Sequence, residues 1–162
     1  MKRVKLLVVW LFLPIAMLPA VCAAQEAVSA KRNGATVEET LREFMTAFEN
    51  LDWKTFRSFF SENATIFHPV PPNLKRIEGS EQFDQAWLAV FDRIKRNSGR
   101  TSPPYMKLNP VDLRIDRLSE DAALVTFHVV DEKTVSRRTV VFKRSGGAWK
   151  IVHIHASNIA TP

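Results

Sequence analysis

One cysteine in 162 residues, Cys22, leaves no partner for an internal disulfide. Five glycines and nine prolines are too few for a collagen-like or low-complexity chain. No apolar run reaches the ~20 residues that a bilayer-spanning helix requires; the longest, Leu6 to Leu18, is broken by Pro14. What is present points the other way. A hydrophobic share of 46% and an aromatic share of 10% are too high for a disordered chain and fit one modest globular domain.

The net charge of +6 suggests nucleic acid until the charges are located. Lys2, Arg3 and Lys5 precede the apolar run, and the small residues Ala20, Ala23 and Ala24 follow it. This is the order of a secretory signal peptide, so residues 1–23 are expected to be removed, with cleavage after Ala23 or Ala24. Val21 stands before Cys22, where lipoprotein processing wants a small residue. Removal takes away three of 23 basic residues and none of the 17 acidic ones, so the charge drops by three. It also takes the cysteine, which excludes thiol catalysis and cysteine-ligated metals in the mature chain. The expectation is a secreted or periplasmic protein with neither a permanent membrane anchor nor a nucleic-acid partner.

Residues 24–35 have no periodicity and read as a flexible lead-in to one domain over 36–160. Thr36 and Glu39 form a capping-box pattern, and Val37, Leu41, Phe44, Phe48 and Leu51 follow at steps of three and four. Asp52 caps a second, short helix carrying Trp53, Phe56, Phe59 and Phe60. Asn63 to His68 reads as a strand ended by Pro69, Pro71 and Pro72. Gly79 and Ser80 introduce a third helix with Phe83, Trp87, Val90, Phe91 and Ile94 on one face; Ser98, Gly99, Pro103 and Pro104 end it. The period then changes to two. Val111, Leu113 and Ile115 alternate with charged residues, and Ala122–Asp131, Thr134–Arg144 and Ala148–Ser157 read as three further strands, the last two joined through Gly146-Gly147. Helices first and an antiparallel meander afterwards predict an α+β domain with a hollow between the two layers.

Four segments, Thr36–Trp53, Asn63–Pro69, Gly79–Phe91 and Gly147–Ser157, resemble the SnoaL-like branch of the nuclear transport factor 2-like superfamily. The last is similar also to the association domain of calcium/calmodulin-dependent kinase II. The resemblance implies a cone: three N-terminal helices packed on a strongly curved antiparallel sheet, commonly a homodimer through the outer sheet face. Its members include ketosteroid isomerase, cyclases, dehydratases, assembly modules and pocket proteins. His68-Pro69 stands where ketosteroid isomerase has its Asp-Pro pair, which makes His68 the candidate general base. Phe44 stands where the isomerase has the tyrosine that donates to the developing oxyanion. Phenylalanine cannot donate, which argues against the isomerase reaction itself.

The four histidines fall in strands. Strict alternation puts Trp149, Ile151, His153 and His155 on one face of the last strand. His-x-His spacing suits two zinc ligands, but a third would have to come from elsewhere, so His128, His153 and His155 read as polar lining of a pocket or dimer face. Phe44, Phe48, Trp53, Phe67 and Trp87 read as an aromatic wall for a flat apolar ligand. The basic clusters Arg93, Lys95 and Arg96 with Arg100, and Arg137-Arg138 with Lys143-Arg144, read as a solvated face or a surface for an anionic partner, with nucleic acid disfavoured by the modest mature charge. The expectation is therefore a pocket protein for a small apolar or aromatic molecule, without cofactor or metal. A cofactor-free isomerase, cyclase or dehydratase using His68 is one alternative, and an oligomerisation module the other.

Overall fold

A computed structural model describes residues 34–69, 75–130 and 134–160. The expected leader, most of the lead-in, and Pro71 and Pro72 lie outside the described residues. Helix α1 spans Val37–Glu49 and starts at the expected capping box: Thr36 Oγ1 accepts from the Glu39 amide, and the Glu39 carboxylate accepts from the Thr36 amide. Its stripe of Val37, Leu41 and Phe44 is buried. Helix α2, Trp53–Arg57, is capped by Asp52. Helix α3, Ser80–Ser98, buries Phe83, Trp87, Val90 and Phe91 and ends at Gly99, whose φ of +63° is the left-handed conformation glycine adopts freely. Among the described residues no helix is long and apolar enough to cross a membrane.

The sheet comprises β1 (Phe60–Phe67), β2 (Pro110–Arg117), β3 (Ala122–Val130), β4 (Thr134–Ser145) and β5 (Ala148–Ala160), in the order β1-β5-β4-β3-β2. Strands β2 to β5 form the expected antiparallel meander, closed between β4 and β5 by Gly146 and Gly147, both at positive φ. Strand β1 departs from expectation twice. It begins at Phe60 rather than Asn63, because Phe59 and Phe60 are buried against the helices. It also pairs parallel to β5, a direction that no hairpin dictates, since about half of the chain separates the two strands. Its free edge is covered by Ile77, which exchanges two backbone hydrogen bonds with Ile66.

Two irregularities decide which side chains face inward. In β2, Asp112 sits at φ +52° and the register with β3 shifts between Val111 and Arg114. Val111 and Leu113 are consequently exposed, and the simple alternation read from the sequence is broken. In β5, Ile151 pairs with Phe142 but His153 pairs with Val141, leaving Val152 as an extra residue. That bulge reverses the side-chain parity of the rest of the strand. It lies where β5 also meets the start of β1, with the Ile151 amide donating to the Phe59 carbonyl at 2.8 Å.

Helices and sheet meet over an aromatic core. Phe56 is fully buried, with ring centroids of Phe44, Phe48, Phe60, Trp87 and Phe91 all 4.8–5.3 Å away. The segment after α3 is held to α1 through Glu49, whose carbonyl accepts from the Tyr105 amide and whose carboxylate accepts from the Leu108 amide.

Candidate functional site

Between α1, α3 and the inner face of the sheet lies a hollow of about 310 Å³, near the lower end of the range for small-molecule pockets. Its helix side is aromatic and aliphatic, with Phe44, Met45 and Phe48 from α1 and Trp87 and Val90 from α3. Met106 and Leu108, positioned by Glu49, close one side. Most of the wall is therefore apolar.

The polar part of the wall comes from β4 and β5. Val140 and Phe142 point inward, and strand alternation places Arg138 and Ser136 on the same face. Across the ladder, Arg138 pairs with Ala156 and Ser136 with Asn158, and all four line the hollow. The Ser136 hydroxyl donates to Asn158 Oδ1 at 2.9 Å. Arg138 Nη1 donates to the carbonyls of Arg137 and Ser157 at 2.9 and 3.2 Å, and weakly to Asn158 Oδ1 at 3.4 Å. Among the described residues Nη2 has only Asn158 Oδ1, at 3.5 Å. All these acceptors are uncharged. Burial lowers the Arg138 pKa from its ordinary value, the direction expected for a cation stripped of water.

His68 and Pro69 follow the end of β1 and line the hollow, with the His68 ring edge-on to Trp87 at 6.4 Å between centroids. Of the nine side chains singled out from the sequence, His68, Phe44, Phe48 and Trp87 therefore meet at one cavity. The other five do not line it. Trp53 packs against Phe56 and Phe91 behind the cavity wall and is part of the core. Phe67, His128, His153 and His155 lie on the opposite, outer sheet face. For His153 and His155 the reason is the bulge at Val152: it gives the inward positions to Ile154, Ala156 and Asn158. Phe67 follows them through the β1 register, pairing with His155 and packing on both imidazoles, while His128 lies 3.5 Å from the Asp112 carboxylate. No cluster of three potential metal-ligating His, Cys, Asp or Glu side chains occurs among the described residues.

Sequence reasoning missed Arg138, Ser136 and Asn158. The signal for the first two was present: the inward parity of Val140 and Phe142 extends to positions 138 and 136, but the pair Arg137-Arg138 reads as surface charge when strand parity is ignored.

On the outer face the Thr65 hydroxyl and His153 Nδ1 share a hydrogen bond of 2.7 Å. Burial, then the neighbouring charges of His155 and Arg76, hold the His153 pKa below the ordinary imidazole value. The folded chain thus binds this proton less readily than the unfolded chain. Its contribution is fully present above the unfolded pKa of roughly 6.5 and is lost as pH falls through the folded value. The urea midpoint is expected to drop between pH 7 and pH 5, and His153→Gln to flatten that drop; an equal acid loss in both proteins contradicts the assignment.

Residues 37–162 match the SnoaL-like domain. Comparison with curated proteins gives no match. Among solved structures, the chain is similar to a nuclear transport factor 2-like protein of unknown function from Pseudomonas putida, at 19% identity and a TM-score of 0.59 over 84% of this chain and 87% of that one. A proposed dehydratase of the same superfamily from Streptomyces avermitilis superposes at 19% identity and 0.60, covering 82% and 97%. A proposed calcium/calmodulin-dependent kinase II association domain from Thiobacillus denitrificans gives 20% and 0.57, covering 76% and 95%. At these identities the likeness is one of fold.

Proposed function

The chain belongs to the SnoaL-like domain family, and on that premise we propose that it is an exported pocket protein that binds a small, largely apolar or aromatic molecule. One observation carries this reading: the space between helices and sheet is an open hollow of about 310 Å³ instead of being filled by side chains. A module serving assembly alone has no use for such a space, and protein interiors close-pack wherever nothing keeps them open. The aromatic wall of Phe44, Phe48 and Trp87 offers large contact area at small entropic cost to a flat ligand. The domain also pairs with a second copy through the outer sheet face, where Phe67, Val130 and Ile159 are exposed. Light scattering that returns the mass of a single copy contradicts that part. N-terminal sequencing of the mature protein is expected to begin at residue 24 or 25.

Native mass spectrometry of the protein purified from its own host tests the pocket directly. The expected spectrum shows one small molecule per domain, released on denaturation. A spectrum of bare protein that also takes up none of a panel of single-ring and two-ring aromatic compounds contradicts the proposal.

A second reading, proton transfer by His68, is supported by its place in the cavity wall beside Trp87 and by the fold-level likeness to a proposed dehydratase. His128, His153 and His155 cannot orient a substrate for it from the outer face. Once a substrate is known, His68→Ala is expected to lower turnover by about 10²–10⁴-fold; unchanged turnover ends that reading.

A further inference from the structure

From the hydrogen bonds and charges of the cavity wall we infer that the ligand is an amphiphilic anion, an aromatic or aliphatic body with a carboxylate-like head seated on Arg138. This inference rests on the pocket reading above and adds the chemistry of the ligand's polar end. Among the described residues the charged side chains lining the hollow are Arg93 and Arg138, and no aspartate or glutamate lines it. Among the described residues Arg138 makes no ion pair, and its contacts are backbone carbonyls and one amide oxygen. Leaving a partly desolvated guanidinium without a counter-ion is costly, and a protein recovers that cost when a ligand supplies the missing charge.

The donors are aimed for such a group. Among the described residues the Arg138 Nε–H has no acceptor and Nη2 only a long one, which leaves the side of the guanidinium that forms bidentate pairs with carboxylates for a ligand. Asn158 Oδ1 is occupied by Ser136 and Arg138, which leaves its amide N–H groups as further donors. Spare donors of Arg138 and Asn158 thus meet a cavity whose wall is otherwise mostly apolar. The cross-strand neighbour of Arg138 on β5 is Ala156, whose methyl group leaves the space beside the guanidinium empty. A neutral apolar ligand would satisfy none of these donors; an anion with a hydrocarbon body satisfies both halves of the wall.

Calorimetric titration at pH 7.5 with matched pairs tests this: 4-phenylbutyrate against 4-phenylbutan-1-ol, 2-naphthoate against 2-naphthalenemethanol, and octanoate against octanol. At least one acid is expected to bind about 10- to 100-fold tighter than its alcohol, the range set by a charge-assisted hydrogen bond. Arg138→Met is expected to bring the two within about twofold by weakening the acid far more than the alcohol, and Arg138→Lys to retain part of the preference. Arg93→Met tests the other cation of the wall, and Arg137→Met, on the exposed side of the same strand, serves as the control. If alcohols bind as well as acids in the unaltered protein, the anion inference fails and the pocket reading stands. If no member of any pair binds, the pocket reading fails and takes this inference with it. If Arg93→Met erases the preference and Arg138→Lys does not weaken it, the assignment to Arg138 is overturned, whether or not Arg138→Met folds.

Discussion

Phe56→Ala is expected to lower the free energy of unfolding by about 3–5 kcal/mol, the range for deleting a fully buried aromatic ring. The ring is 0% exposed and lies within 6.1 Å, centroid to centroid, of Phe44, Phe48, Trp53, Phe60, Trp87 and Phe91. Those rings come from all three helices and β1, so no single element can move in to fill the void. The cavity term is therefore added to the lost transfer energy instead of being relieved by collapse. Phe44, Phe48 and Trp87 are also cavity wall, so the same substitution is expected to loosen ligand binding although Phe56 does not line the hollow. Urea unfolding at fixed pH measures the first effect through the midpoint at constant slope. A loss below about 1 kcal/mol would mean that the aromatic cluster repacks freely.

Ala156→Trp has its largest expected effect on binding. Ala156 faces the hollow between the cross-strand neighbour Arg138 and the helix wall, so an indole placed there occupies the ligand's space. Binding of any compound that fits the unaltered pocket is expected to weaken by about 10- to 100-fold, the equivalent of an overpacking clash of 1–3 kcal/mol. The fold itself has room for the ring, because the space exists already, so the thermal midpoint is expected to stay close to that of the parent. Unchanged affinity measured by calorimetry would show that the ligand sits elsewhere. A protein that no longer folds would show that the hollow has no room for the ring.

The parts of this molecule that were legible in the sequence are those governed by nearby residues. The capping box at Thr36, the apolar stripes of α1 and α3, the stop at Gly99 and the Gly146-Gly147 hairpin are each set within a few residues of chain, and each was found where the pattern put it. The resemblance carried by these segments identified the cone-like fold, and it also led to His68, Phe44, Phe48 and Trp87, which share one cavity. What alternation could not show is the extra residue at Val152. That bulge arises where β5 must satisfy β4 on one side and the beginning of β1 on the other, a contact between distant parts of the chain. One inserted position exchanged the faces of everything after it, sending His153 and His155 outward and bringing Ala156 and Asn158 in. Arg138 was hidden for a different reason. Its charge suggested solvent, whereas its parity with Val140 and Phe142 fixed it against the cavity. For a side chain in a strand, position in the pleat outweighs chemical type in deciding which way it points, and the chemistry then has to be satisfied where the backbone leaves it.

Of the four methionines in the chain, Met45 and Met106 both line the hollow, while Met1 and Met17 belong to the expected leader. Carbon-13 labelling of methionine methyl groups therefore puts two reporters in the wall, assignable by Met45→Leu and Met106→Leu. Titration with the best-binding compound of the matched pairs is expected to shift both resonances in a saturable one-to-one manner. Binding that leaves both methyl signals in place would contradict the claim that this interior space is where the protein takes up its ligand.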